Sequence, residues 1–258
     1  MISSAYHVAA KISSGSPVFV AWLGIAEPVI ADIFAREGYD AVVFDGQHGM
    51  FDDNAMARGF AAVASLGVPV IGRIPVGNFA MAARFLDLGA AGVIAPMINT
   101  VEDARNLVAY TKFPPVGDRS WGPARALALT GLTPPEYFKQ ANDFSLIVAM
   151  IETREAIAAV DDILAVDGID GVFVGPSDLS ITLSNGATFN PASAEVDAAF
   201  KHVLARAKAA GKFCGAFSIS PAKAAELGKQ GFQLVTVSGD FALIKEAAKN
   251  ALATARGQ

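Results

Sequence analysis

Charge is scarce in this 258-residue chain: 17% of it is Asp, Glu, Lys or Arg, against roughly 25% in an average soluble domain. Cysteine is nearly absent. The single Cys214 excludes an internal disulfide, and its neighbours Phe213 and Ala216 mark it as a buried small residue rather than a reactive thiol. Long apolar runs are missing too. The most apolar uncharged stretches, Gly59–Gly72 and Leu88–Val101, are 14 residues each and contain Gly and Pro, whereas a membrane-spanning helix needs about 20. The opening MISSAYHVAAKISSG has no apolar core of the kind a secretory signal carries, so a cytoplasmic protein that spans no membrane is expected. No Lys/Arg cluster interrupts a mildly acidic chain of net charge −5, which argues against nucleic acid as a partner.

What is present is apolar and regular. At 53% hydrophobic, the composition excludes intrinsic disorder and fits a sheet buried on both faces. Eight short runs rich in β-branched and apolar residues recur at 18–24, 41–48, 69–75, 92–98, 145–152, 170–176, 212–218 and 233–239. Helical spacing follows each, over 27–37, 53–66, 79–88, 101–111, 154–165, 192–209, 221–229 and 241–252. Asp52 or Asp53 can cap the second of these and Thr100 with Asp103 the fourth, while Gly38, Gly67, Gly89 and Gly211 stand where helices should stop. Eight strand–helix units predict a (β/α)8 TIM barrel as one domain over 1–258. A doubly wound open sheet would usually show a Gly-rich nucleotide loop, and none matches. Two intervals, 113–142 and 179–191, read as long functional loops.

Barrel enzymes carry their chemistry at the C-terminal ends of the strands, and few polar residues stand there. Trp22 ends the first strand; Asp45, Gln47 and His48 end the second; Arg73 ends the third. Glu152 ends the fifth, Ser177 and Asp178 follow the sixth, and the last two offer Ser218, Ser220, Ser238 and Asp240. Glu152 and Asp178 lie one β/α unit apart, and two carboxylates meeting at a barrel mouth suit a Mg²⁺-like ion. Each also suits a plain helix cap. Arg73 interrupts an apolar strand, where it needs an anion: a carboxylate or a substrate oxygen. His48 is the one histidine at a strand exit, and Asp45, three residues earlier, could orient it. None of the ten lysines sits inside or at the exit of a strand. A Schiff-base aldolase needs a desolvated lysine at the substrate carbonyl, so that mechanism is disfavoured. The inventory suits metal-assisted enolate chemistry on a 2-oxo acid.

These residues resemble a known family. FDGQHG is similar to its D-G-E-H strand exit, GRIP to its R-x-P strand, MIET to its Q-x-E-[ST] segment, and GPSDLS to its G-P-[AS]-D-L-[ST] loop. The family is the HpcH/HpaI class II pyruvate aldolases, which includes 4-hydroxy-2-oxoheptanedioate and 2-dehydro-3-deoxyglucarate aldolases. The resemblance implies a barrel of the phosphoenolpyruvate/pyruvate type and cleavage of a 4-hydroxy-2-oxo acid to pyruvate, or a similar 2-oxo acid, and an aldehyde. Glu152 and Asp178 match its ligands for Mg²⁺, Mn²⁺ or Co²⁺. The amides of Ser177 and Asp178 match its carboxylate site, Arg73 the group on the keto oxygen, and His48 its acid–base histidine. Asp45 and Asp87 match acids associated with that histidine. Asp87 precedes the fourth strand, at the wrong end of its own barrel, so a catalytic role implies action across a subunit contact. A homo-oligomer, a hexamer built as a trimer of dimers with exchanged C-terminal helices, is implied. Trp22 and Met150 are expected at the substrate. Gln47 stands where an acid is usual and Met150 where a carboxylate-binding glutamine is usual, which opens the site to a donor such as hydroxypyruvate. The alternatives are a citryl/malyl-CoA-type lyase, for which only the 119–125 loop offers basic residues, and a catalytically silent barrel serving as a binding or assembly protein.

Overall fold

The eight apolar runs become eight parallel strands joined in sequential order into a closed barrel, in a computed structural model that describes residues 3–257. The strands are β1 (Val18–Leu23), β2 (Ala41–Asp45), β3 (Val70–Arg73), β4 (Gly92–Ala95), β5 (Leu146–Ile151), β6 (Gly171–Val174), β7 (Phe213–Ala216) and β8 (Leu234–Gly239). Each lies inside its predicted run and is shorter, because the runs extend into exit loops. The helices are α1 (Val8–Ser13), α2 (Pro28–Arg36), α3 (Asp53–Ser65), α4 (Phe79–Asp87), α5 (Val101–Thr111), α6 (Ala124–Thr130) and α7 (Pro134–Phe144). Beyond β5 come α8 (Arg154–Ala158), α9 (Val160–Leu164), α10 (Pro176–Leu183), α11 (Ala194–Ala209), α12 (Pro221–Gln230) and α13 (Asp240–Ala255). No described helix is long and apolar enough to cross a membrane.

Side-chain alternation divides the core in two. Val18, Val20 and Trp22 of β1, Ala41 and Val43 of β2, and Leu146, Val148 and Met150 of β5 fill the barrel interior. Ala21, Leu23, Val42, Phe44, Ile147, Ala149 and Ile151 face the helices. Every second residue of a strand therefore points to the axis, and the last inward residue of each strand points to the mouth.

The predicted caps form. Asp52 accepts the N–H of Ala55, and Thr100 and Asp103 make a reciprocal capping box. Three expectations need correcting. The interval 113–142 holds α6 and most of α7; Thr133 and Glu136 form a second capping box ahead of α7, with Pro134 in its first turn. The prolines in this interval disguised that signal as loop. The helix predicted over 154–165 is two, divided at Ala159. The interval 179–191 begins inside α10 rather than in a loop.

The lower end of the barrel is closed by α1, α6 and α7, where Tyr6 donates to Gly89 O at 3.1 Å and packs edge-on against Phe144. Lys112, 2% exposed, secures this end. Its Nζ donates to the carbonyls of Asn142 and Ser145, both at 2.7 Å, and to Asp170 Oδ2 at 2.9 Å. Burial pushes the Asp170 carboxyl above its ordinary range, against the pull of Lys112. Lys112→Met leaves the carbonyls of Asn142 and Ser145 without this donor and Asp170 without its cation, with only the Ile147 N–H remaining on Oδ2. It is expected to cost about 3 kcal/mol and to lower Tm by roughly 6–12 °C, with kcat at 25 °C unchanged; calorimetry and steady-state kinetics check both.

Candidate active site

Alternation along the strands builds the mouth. Trp22 continues Val18 and Val20, Asp45 continues Ala41 and Val43, Arg73 continues Ile71, and Met150 continues Leu146 and Val148. Glu152, one step beyond Met150 in the same alternation, is 2% exposed. With His48, Ser177 and Asp178 these residues line one cleft of about 290 Å³. Gly175, Pro176 and Phe217 complete its walls. A larger hollow of about 420 Å³ adjoins it across Pro176 and Phe217. There Lys223 is paired with Asp197 and Glu226, and Ser193 and Ser220 cap helices, so its polar groups are already engaged.

Asp45 is the hub of the cleft. It is the register partner of Arg73 across β2 and β3, and the two form a bidentate pair, Nε to Oδ1 at 2.8 Å and Nη2 to Oδ2 at 2.5 Å. Trp22 Nε1 donates to the same carboxylate at 3.2 Å, and its ring lies 4.9 Å beneath the Arg73 guanidinium. Burial alone would raise the Asp45 pKa. The hydrogen bonds and charge of Arg73, with the His48 N–H and the Trp22 indole, outweigh it and hold the carboxyl below its usual range. The bidentate pairing leaves the Nη1 side of Arg73 for a substrate oxygen.

Asp45 also accepts the backbone N–H of Gln47 at 3.0 Å and of His48 at 3.1 Å. The acid thus orients the His48 turn through the backbone; among the described hydrogen bonds none joins it to the imidazole. Asp87 is not brought to the cleft of its own chain. At the C-terminal end of α4 it pairs with the buried Arg119 at 2.7 Å. The side-chain oxygen of Gln47 is buried without a hydrogen-bond partner.

The two carboxylates sit differently. Glu152 Oε2 accepts the N–H of Met97 at 3.1 Å, presented by a backbone with φ of 55°, a conformation rare outside glycine. Oε1 occupies a niche that exists because residue 175 is glycine: a Cβ there would lie 2.5 Å from it. Burial lifts the Glu152 pKa to about 7; the nearby Asp178 charge adds to the rise, while Met97 and Arg73 oppose it. Asp178 lies in the first turn of α10, which starts at Pro176; Ser177 and Asp178 both line the cleft, and first-turn N–H groups have no carbonyl partner within a helix. A carboxylate in a glycine niche and a second one whose charge it feels fit a divalent cation, while the helix N-terminus beside them suits an anion. No third His, Cys, Asp or Glu joins them among the described residues, which leaves coordination positions for water and substrate oxygens. The amide of Met97 and the wall residues Gly175 and Phe217 went unread in the sequence. A backbone donor carries no side-chain signal, and GPSD drew attention to its acid rather than to its glycine.

Comparison with known proteins agrees with the barrel fold and places the chain in a family. Residues 18–247 match the family model described as HpcH/HpaI aldolase/citrate lyase. The chain is 40% identical over 248 residues to a hydroxypyruvate/pyruvate aldolase of Rhizorhabdus wittichii, covering 95% of this chain and 96% of the relative. It is 36% identical to a 4-hydroxy-2-oxo-heptane-1,7-dioate aldolase of Salmonella dublin, covering 92% and 90%. The crystal structure of an HpcH/HpaI aldolase from Desulfitobacterium hafniense superposes with a TM-score of 0.89 at 29% identity, covering 96% of each chain. The closed barrel, the cleft at its mouth and these matches together make the chain a member of the HpcH/HpaI aldolase/citrate lyase family, with the chemistry of a carbon–carbon lyase.

Proposed function

We propose that this aldolase uses a divalent metal ion to cleave 4-hydroxy-2-oxo acids reversibly into pyruvate or hydroxypyruvate and an aldehyde. The observation that carries the reading is the convergence of Glu152, Asp178, the Arg73 fork and the α10 N-terminus on one cleft. Relatives named as hydroxypyruvate/pyruvate aldolases support the choice of donor.

Ser177 and Asp178 offer their N–H groups to the substrate carboxylate, where the helix dipole adds to the attraction. Arg73, locked by Asp45 and Trp22, meets the keto oxygen as negative charge develops on it. His48, exposed at the rim, takes the 4-hydroxyl proton as the carbon–carbon bond breaks, and a proton delivered to C3 of the resulting enolate completes the 2-oxo acid. Glu152 and Asp178 hold the ion, which when bound supplies Lewis-acid polarisation of the 2-oxo group. Mg²⁺, Mn²⁺ and Co²⁺ all suit this oxygen-rich set. Schiff-base chemistry has no candidate, since no lysine lines the cleft. The CoA-lyase alternative loses support because neither Arg119, paired with Asp87, nor Arg125 lines the cleft; the charges of both are felt at Tyr6.

Met150 has no donor to offer a carboxylate. Met150→Gln is expected to shift the ratio of kcat/KM for hydroxypyruvate over pyruvate by about tenfold, the size of one hydrogen bond. An unchanged ratio in donor competition sinks the idea.

Assembly as a homo-oligomer, with Asp87 reaching a neighbour's His48 and α13 exchanged, is part of the same reading. Its support is α13 itself. Asp240 is its only buried residue, and Phe241, Ile244 and Leu252 stand exposed along it. Proton exchange at C3 of pyruvate in D₂O tests the central claim. Metal-stimulated exchange, followed by product formation with added aldehyde, is expected. Exchange indifferent to chelator refutes the metal role, and no exchange at all points to a silent barrel.

A further inference from the structure

Asp240 opens α13 and is 2% exposed, yet it takes no part in the chemistry above. Its Oδ2 accepts the N–H of Gly24 at 3.0 Å and of Ile25 at 2.8 Å, and its Oδ1 accepts the N–H of Phe241 at 2.8 Å. Gly24 and Ile25 are the first residues after β1, so a carboxylate from the last strand's exit fastens the first strand's exit. The backbone ahead of it is shaped for this task. Between the register pairs Val20–Thr236 and Trp22–Gly239, β1 advances two residues and β8 three. The extra residue makes a bulge, and Ser238 within it has φ of 71°. Bulges re-aim the residues next in the strand, and a non-glycine residue held at positive φ persists only where its surroundings over-determine it. The residue re-aimed by this bulge is Asp240.

The contact chain continues toward the cleft. The carbonyl of Gly24 accepts the N–H of Met50 at 2.8 Å, two residues beyond His48. Gly49, between them, donates to Asp45 O at 3.1 Å. It is wedged so closely that a Cβ would lie 2.2 Å from that oxygen and 3.2 Å from Gly24 Cα. The turn bearing His48 is thus held on one side by the Asp45 carboxylate and on the other by the Gly24 backbone that Asp240 fixes.

We propose that Asp240 is a positioning residue that sets the β1–α2 loop and, through the Gly24–Met50 hydrogen bond, the placement of the His48 imidazole over the cleft. It touches no reacting atom. The role rests on His48 as the acid–base group, and the experiment separates the two claims.

Steady-state cleavage kinetics are measured on the Mg²⁺-loaded wild type, Asp240→Ala, Asp240→Asn, His48→Ala and the Asp240→Ala/His48→Ala double variant. Asp240→Ala is expected to lower kcat about 10–30-fold, as small misplacements of a catalytic group do. KM should stay within about threefold, because Ser177 and Asp178 are not attached to the Gly24–Met50 link and Arg73 keeps its own two hydrogen bonds to the Asp45 carboxylate. Asp240→Asn keeps an oxygen for the Gly24 and Ile25 N–H groups, losing only the acceptor of Phe241 N–H, and should recover kcat to within about threefold of wild type. The double variant should be no slower than His48→Ala, since residues acting through one group are non-additive. If Asp240→Ala does not yield folded protein, Asp240→Ser, too short to reach both N–H groups, takes its place with the same expectation. Loss of thermal stability with unchanged kcat overturns the proposal, and so does a double variant whose losses multiply. Wild-type rates for His48→Ala overturn the acid–base reading, and this role for Asp240 with it.

Discussion

Arg73→Lys is expected to lower kcat/KM by about 10²–10³-fold while the protein remains folded, because the pair it breaks builds the cleft and, in the proposed mechanism, serves the reaction. The guanidinium holds both oxygens of Asp45 with Nε and Nη2 and rests on the Trp22 ring. A lysine ammonium has donors enough but no planar fork, so it cannot hold both oxygens of Asp45 side by side and keep a fixed donor on a substrate oxygen. Most of the loss should fall on kcat, because in the proposed mechanism the charge that Arg73 meets grows as the enolate departs. Arg73→Ala should cost stability as well, about 3–5 kcal/mol, since it strands a carboxylate that is 4% exposed. A Lys variant with wild-type kcat would mean that Arg73 serves the fold alone. Asp45→Asn is the companion measurement. The Asp45 carboxyl sits below its ordinary range, so its stabilising contribution is complete above the unfolded pKa and disappears as pH falls through the folded one.

The second large effect concerns Glu152 and runs the opposite way with pH. Its folded pKa is raised from 4.5 to about 7, first by burial. A raised pKa means that the folded state holds the proton more tightly than the unfolded chain. The stability this gives the metal-free protein is full below about pH 4.5 and is lost as pH rises through about 7, some 3 kcal/mol in all. Chelator-treated wild type should therefore melt lower at pH 8 than at pH 5.5. Glu152→Gln removes the charge that burial opposes, so the metal-free variant should melt higher than metal-free wild type at pH 8, with a flatter pH profile. Added Mg²⁺ or Mn²⁺ should raise the wild-type Tm at pH 8 and leave the variant nearly unmoved. The variant should also lose at least about 10³-fold in kcat, because one of the two carboxylates proposed to anchor the metal is gone. Equal pH profiles for wild type and Glu152→Gln would show that Glu152 is not held as described.

Strand positions were legible because an alternating or continuously apolar run is a local signal, and so were the caps at Asp52 and Thr100. The mouth residues were legible for the same reason. Once the strands are known, Trp22, Asp45, Arg73, Met150 and Glu152 fall on the inward side near their ends without reference to any neighbour. The helices within 113–142 were not read, although Thr133 and Glu136 announce one of them, because the prolines around them resemble loop. The amide of Met97 could not be read at all: its function lies in a backbone angle rather than in its side chain.

Chain order and periodicity alone determined the barrel, the polar character of its strand exits and the absence of a lysine among them, because each depends on residues close together in sequence. The partners were decided by tertiary structure. Asp45 could serve His48, three residues away, or Arg73, 28 away, and the parallel register of β2 and β3 gives its carboxylate to Arg73 while its turn keeps the His48 backbone. Asp240 reads as one more polar residue at a strand exit until closure of β8 onto β1 sets it beneath Gly24, 216 residues earlier. Local periodicity specifies which way a side chain points; only a closed sheet specifies what it meets there.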